Sequence, residues 1–225
     1  MPFVRYAIYV TPAPGPLADF GAGWLGWDPA AGAPRAHPET GLPLAEITAV
    51  PRRYGLHATM KPPFRLAPGT NAAELETALA GFCAAHAPVR LDGLALARLG
   101  RFLALRPEGD TTALDALSAA TVRAFDPFRA PLTEAELARR RARPLSPAEE
   151  ANLRAWGYPY VMDAFRFHMT LTGDLPDATR AAVEAALGPR LVPLLPRPFV
   201  IDALSLMGED AEGRFHLIRR QPLSA

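Results

Sequence analysis

The sequence predicts an α+β chain with a duplicated bilobal fold. Two antiparallel β-sheets line a central cleft, helices cover the outer faces, and a pseudo-two-fold axis relates the halves. Two observations predict it. His-x-Thr occurs twice, in YGLHATMK (54–61) and FRFHMTLT (165–172), with His57 and His168 separated by 111 positions. Each copy is followed by the same order of elements, a helix and then two strands. A chain of 225 residues with 49% apolar content suits a single bilobal domain with a shared core better than two independent domains.

The elements follow in order. MPFVRYAIYV opens the chain and reads as a strand over about 3–11, with alternating Tyr, Ile and Val. It lacks the basic and then apolar regions of a signal peptide. Lobe one is expected over about 45–125. After its His-x-Thr strand comes a helix in NAAELETALAGFCAAHA (71–87), then strands in VRLDGLALARLG (89–100) and RFLALRP (101–107), then a helix in TTALDALSAATVRAF (111–125). A helical insertion over about 126–162 separates the lobes. Within it, 132–157 reads as two short helices broken at Pro144, with Thr133 and Ser146 as N-caps. Lobe two, about 163–221, repeats the pattern: His-x-Thr strand, helix at 176–188, strands at 198–208 and 214–220. Gly100-Arg101-Phe102 and Gly213-Arg214-Phe215 share their letters 113 residues apart.

A net charge of +1 leaves no global electrostatic footprint for nucleic acid. One cysteine, Cys83, excludes an internal disulfide framework and fits a reducing compartment. No apolar run approaches the ~18 residues of a membrane span. The expected setting is therefore soluble and cytoplasmic, with no membrane partner.

In a strand, alternate side chains share a face. Phe165, Phe167, Met169 and Leu171 form the packing face, leaving Arg166, His168, Thr170 and Thr172 on the other. Two histidines facing one cleft suit general acid–base catalysis, since an unperturbed imidazole titrates near ~6.5. Thr59 and Thr170 lie beside them and can donate hydrogen bonds to phosphate oxygens. By the same parity Lys61 and Arg166 are expected to contact an anionic substrate. Gly55 stands where Arg166 stands in the other copy, an arrangement that leaves room for substrate.

YGLHATMKPPF and FRFHMTLTGDL resemble the two motifs of the two-histidine (2H) phosphoesterase superfamily. RYAIYVTP, GWLGWD and the same two segments, in order, resemble the branch found with bacterial phosphonate-utilisation operons. The resemblance covers the whole chain. It implies a metal-independent phosphodiesterase without cofactor that opens the cyclic phosphodiester of a small phosphorylated sugar, a phosphoribosyl cyclic phosphate in phosphonate catabolism. One of His57 and His168 would activate water and the other would protonate the leaving oxygen, with Thr59 and Thr170 holding the phosphate. Two rivals are an enzyme acting on RNA 2′,3′-cyclic ends and a binding protein that holds a phosphorylated metabolite without turnover.

Other signals carry less. GAGWLG (21–26) matches a dinucleotide-loop pattern, but prolines separate it from the preceding strand and Asp28-Pro29 follows it. Cys83 and His86 are three apart on a helix, where Cys83 reads as a small core residue. His37 and His216 lack metal-ligand spacing. ARRRAR (138–143) reads as a solvated helix face, or alternatively as a patch folded over the cleft to hold a second phosphate.

Overall fold

The computed structural model describes residues 3–225. The elements in chain order are β1 (Arg5–Val10), α1 (Pro16–Leu25), β2 (Trp27–Asp28), β3 (Ala33–Pro34), α2 (Leu44–Ile47), β4 (Ala58–Phe64), α3 (Ala72–Ala84), β5 (Val89–Leu91), β6 (Gly93–Leu99), β7 (Phe102–Glu108), α4 (Thr112–Ala124), α5 (Glu134–Arg140), α6 (Pro147–Trp156), β8 (Met169–Thr170), α7 (Asp177–Leu191), β9 (Phe199–Ile201), β10 (Ala203–Glu209) and β11 (Phe215–Pro222). The fold is α+β, with antiparallel sheets and helices packed on them, as the alternating and helical patterns predict.

The sheets do not follow the sequence halves. One has the order β11-β10-β1-β4 and the other β6-β7-β8. The His57 strand thus joins the hairpin of the second half, and the His168 strand joins the hairpin of the first. Two of the long helices cross over in the same way. Helix α3 packs on β10 and β11 and α7 on β6 and β7, whereas α4 packs within its own half on β4. From α1, the Trp24 indole donates a hydrogen bond to the Leu171 carbonyl at 2.9 Å. Each sheet is therefore built from both 45–125 and 163–221, the spans expected for the two lobes.

The repeating unit also begins one strand earlier than the element order suggests. By sheet position, β7 beside β8 corresponds to β1 beside β4. The unit is strand, helix, His-x-Thr strand, helix and two strands. It runs from β1 to β6 and again from β7 to β10, and β11 is left over at one edge. The hairpin turns at Gly100 and Gly213 both take positive φ, 59° and 80°, which explains the shared Gly-Arg-Phe. Between the sheets, β5 and β9 pair antiparallel with Arg90 opposite Val200. Equivalent segments meet there, as at a local two-fold axis.

Apolar residues from both halves form one cluster, including Ile8, Met60, Leu79, Leu105, Met169, Leu187 and Leu206. The FRFHMTLT alternation matches the burial of Phe165, Phe167, Met169 and Leu171, but only Met169 and Thr170 pair in a ladder. Thr172 departs from the pattern. It is buried, accepting from the Leu103 amide at 3.0 Å and donating to the Gly173 carbonyl at 2.8 Å.

In the 126–162 segment, Thr133 and Ser146 both form capping boxes, with Glu136 and Glu149 as partners. The segment is pinned to β4 by Lys61, and this corrects the expectation for that residue. The β1–β4 register pairs Tyr9 with Thr59 but Ile8 with Lys61, so Met60 is an extra residue and the strand bulges. Pro62 and Pro63 follow, with no amide for a ladder. The bulge reverses the side-chain parity and turns Lys61 away from the face of Thr59. Lys61 is 1% exposed, and its ammonium donates to Asp126 at 2.8 Å and the Val122 carbonyl at 3.1 Å. Burial pushes it down to about 8, against the opposing effect of Asp126. Asp126 also accepts from Arg129 at 2.8 Å.

Because both halves share one core, Leu105→Ala is expected to cost roughly 2–5 kcal/mol and to lower a single urea transition. Two resolved transitions would show independent halves. Lys61→Met is expected to cost about 1–3 kcal/mol in the same measurement, through the lost charged hydrogen bonds.

Candidate functional site

The two histidines are held in the same way. His57 Nδ1 lies 2.9 Å from the Gly55 carbonyl, and His168 Nδ1 lies 2.7 Å from the Arg166 carbonyl. In each case the acceptor is the backbone oxygen two residues earlier. A carbonyl only accepts, so Nδ1 carries the proton and Nε2 is left for chemistry. Two residues beyond each histidine stands a threonine, Thr59 in β4 and Thr170 in β8. Among the described residues neither hydroxyl has a side-chain or backbone hydrogen-bond partner, unlike those of Thr48, Thr121 and Thr172.

Gly55 is required for this geometry. Its φ of 71° and ψ of −178° belong to a region that only glycine readily enters. A Cβ there would come within 2.7 Å of the Pro29 ring. The space opposite Arg166's counterpart is thus filled by Pro29 and not held open for substrate.

The surroundings of the two imidazoles differ. His57 stacks on Tyr9 with ring centroids 4.0 Å apart, and Tyr54 lies at 5.4 Å. Burial pushes His57 down to about 4; the Gly55 carbonyl opposes this, and the positive charge of a protonated His168 adds to it. Phe102 flanks His168, with centroids 5.9 Å apart. The Tyr9 hydroxyl is buried without a partner, and burial raises it well above its ordinary value.

His168 and Thr59 line one cleft of about 470 Å³, although they come from different sheets. Phe102 and Arg166 line it too, joined by Arg143, Tyr158 and Tyr160 from the insertion. The Arg166 guanidinium donates to the carbonyls of Asp163 at 3.0 Å and Phe165 at 2.6 Å. Of the expected site residues, Lys61 alone is turned into the interior. Tyr9, Phe102, Arg143, Tyr158 and Tyr160 were not singled out by the sequence pattern. Arg143 belongs to the ARRRAR run, whose alternative placement over the cleft matches this position.

Among the described residues, no three His, Cys, Asp or Glu side chains group as a metal-ion site. His216 is instead bound to Asp210 at 2.7 Å, and His37 to the carbonyls of Gly23 and Trp24 at 3.1 Å. Cys83 is buried, and burial raises its thiol to about 11, as fits a core residue. No helix is long and apolar enough to cross a membrane among the described residues.

Two curated relatives share the name ribose 1,5-bisphosphate phosphokinase PhnN. The one from Janthinobacterium sp. (strain Marseille) is 40% identical over 221 residues, covering 93% of this chain and 48% of the relative. The one from Laribacter hongkongensis (strain HLHK9) is 36% identical over 178 residues, covering 77% of this chain and 41% of the relative. The chain spans about half the length, or less, of these relatives. A solved structure of E. coli LigT complexed with 3′-AMP aligns with a TM-score of 0.47 at 16% identity, covering 98% of each chain. The family model described as a protein of unknown function, DUF1045, matches residues 59–216, a span that includes Thr59, His168 and Thr170 and begins just after His57, and the chain belongs to that family.

Proposed function

We propose that the chain is a phosphodiesterase that opens the cyclic phosphodiester of a small phosphorylated sugar, with His57 and His168 as base and acid. The observation that carries this reading is one local arrangement made twice. Each histidine is fixed through Nδ1 by a backbone carbonyl, and each is followed by a threonine with a free hydroxyl. Binding alone has little need of two such imidazoles, whereas a proton relay across a phosphate needs both.

Burial favours neutral His57 near pH 7, which suits it to the base. Its Nε2 takes a proton from water as the oxygen bonds to phosphorus. The ester bond on the opposite side of phosphorus breaks, and the leaving oxygen takes the proton from His168 Nε2. Thr59 and Thr170 donate to the non-bridging oxygens, whose charge grows in the transition state. The products are a phosphate monoester and a hydroxyl group on the same sugar.

The name shared by the two relatives supports a phosphorylated ribose as substrate. Opening a 5-phosphorylated ribose 1,2-cyclic phosphodiester at the 2-oxygen yields ribose 1,5-bisphosphate, the compound in that name. The matched part is about half of each relative, so the phosphokinase activity belongs to a longer polypeptide and is not assigned to this chain.

A panel of cyclic phosphodiesters, including that ester and an oligonucleotide with a 2′,3′-cyclic end, tests the reading. The sugar ester is expected to be hydrolysed, with or without chelator. His57→Ala and His168→Ala are each expected to lower kcat by roughly 10²–10⁴-fold while unfolding as the parent does. Binding without turnover by the unaltered chain would mark a binding protein, and preference for the oligonucleotide would move the substrate to RNA.

The pH profile tests the base assignment separately. A base must be deprotonated, so kcat/KM should fall as pH drops through the free-enzyme value, about 4 for His57. A bound phosphate anion favours the imidazolium, so the acid limb of kcat should lie at higher pH than that of kcat/KM. The same acid limb in His57→Ala would remove His57 from the role.

A further inference from the structure

We propose that the end of the cleft beneath the insertion is a subsite for a second anion, a terminal phosphate monoester of the same substrate molecule, held by Arg143 and Arg166. This deepens the cyclic-ester reading and rests on it only in assigning both anions to one substrate. Arg143 lies in the bend between α5 and α6, and Arg166 lies two residues before His168. Both line the cavity that Thr59 and His168 line, and no carboxylate does.

What sets these two arginines apart is uncancelled charge at the cavity wall, since several nearby arginines that do not line it are paired. Their neighbours are neutralised: Arg65 by Glu136 at 3.1 Å, Arg129 by Asp126 at 2.8 Å, and Arg141 and Arg154 by Glu150 at 2.7 and 2.8 Å. Arg140 lies over the Tyr158 ring at 4.5 Å. Among the described residues neither Arg143 nor Arg166 has an acidic partner. Arg166 is nonetheless held in place, because one guanidinium nitrogen, Nη1, donates to the Asp163 and Phe165 carbonyls at 3.0 and 2.6 Å. Those bonds direct the group without cancelling its charge, leaving Nε and Nη2 as donors. A guanidinium with two free donors matches the spacing of phosphate oxygens.

The cavity's size and walls point the same way. About 470 Å³ is in the range of a whole small ligand and well beyond one phosphate group. Phe102, Tyr158 and Tyr160 add aromatic faces to the same lining, suited to the body of a sugar. A molecule with one phosphate at His168 and Thr59 and another at the arginines would occupy the space. Exposed arginines are commonly just solvated. Here two of them converge on one cavity that also contains the threonine and histidine of the opposing sheets.

Ribose 5-phosphate, which has the terminal monoester but no cyclic ester, is the probe. Its binding to the full chain is measured by calorimetry. Arg143→Gln and Arg166→Gln are each expected to weaken it by roughly 10–100-fold, the usual effect of losing a charged hydrogen bond. Arg143→Lys should recover part of the loss. Arg139→Gln, in the same arginine run but outside the cavity lining, should bind as the parent does. In a second arm, the kcat/KM ratio of the 5-phosphorylated cyclic ester to its 5-hydroxyl analogue should fall by a similar factor in Arg143→Gln. Arginine-dependent binding without hydrolysis of either ester would sink the catalytic reading and leave the subsite standing. Hydrolysis with a ratio indifferent to Arg143→Gln, or ribose 5-phosphate binding indifferent to both glutamine variants, would overturn the subsite.

Discussion

The double pairing of β1 is the constraint on which the rest of the molecule depends. Six residues, Arg5 to Val10, pair on one edge with β10 and on the other with β4. Tyr6 to Val10 are buried, so the strand is held by both backbone ladders and by its side chains. Through it the His57 strand is fastened to a hairpin whose own sequence lies about 140 residues later. Strand β4 is itself the edge of its sheet, so without that link nothing would fix its register. The position of Thr59 opposite Tyr9, and with it the stacking of His57 on Tyr9, follows from this pairing.

The same exchange explains why one core serves both halves. Each sheet takes strands from both, and α3 and α7 cover strands of the other half, so neither half can bury its apolar face alone. The Lys61–Asp126–Arg129 group then ties the insertion to β4. A segment that would otherwise project into solvent is fixed near the cleft, and Arg143 and the two tyrosines reach the cavity from it.

Much of this was legible in the sequence where the signal is local. Capping boxes at Thr133 and Ser146 need only four consecutive residues, and both formed. The alternating burial of Phe165, Phe167, Met169 and Leu171 was likewise visible, because a pleated or extended chain obeys the same period whether or not it is paired. What escaped was set by distant partners. The bulge at Met60 arises from the β1 register and reverses the parity at Lys61, which is why that residue could be placed on the wrong face. The phase of the repeat escaped for a similar reason. Element order shows which strands follow one another, and sheet order depends on which edges are left open. Arg143 was hidden among five neighbouring charges and alanines, with nothing local to distinguish the one that faces the cavity.

The backbone anchoring of the histidines has a wider consequence. Two near-equivalent half-sites flank one reacting centre, so on the proposed chemistry a substrate could be seated in either of two reversed orientations with almost equal proton-transfer geometry. The choice of which ester oxygen departs would then be degenerate. The pseudo-symmetry is broken by the insertion, which adds Arg143, Tyr158 and Tyr160 to the cavity wall, and by Pro29, which fills the space beside Gly55. On that chemistry, regiochemistry would be decided by parts that take no share in moving protons, and would change through them while the proton-transfer machinery stays the same.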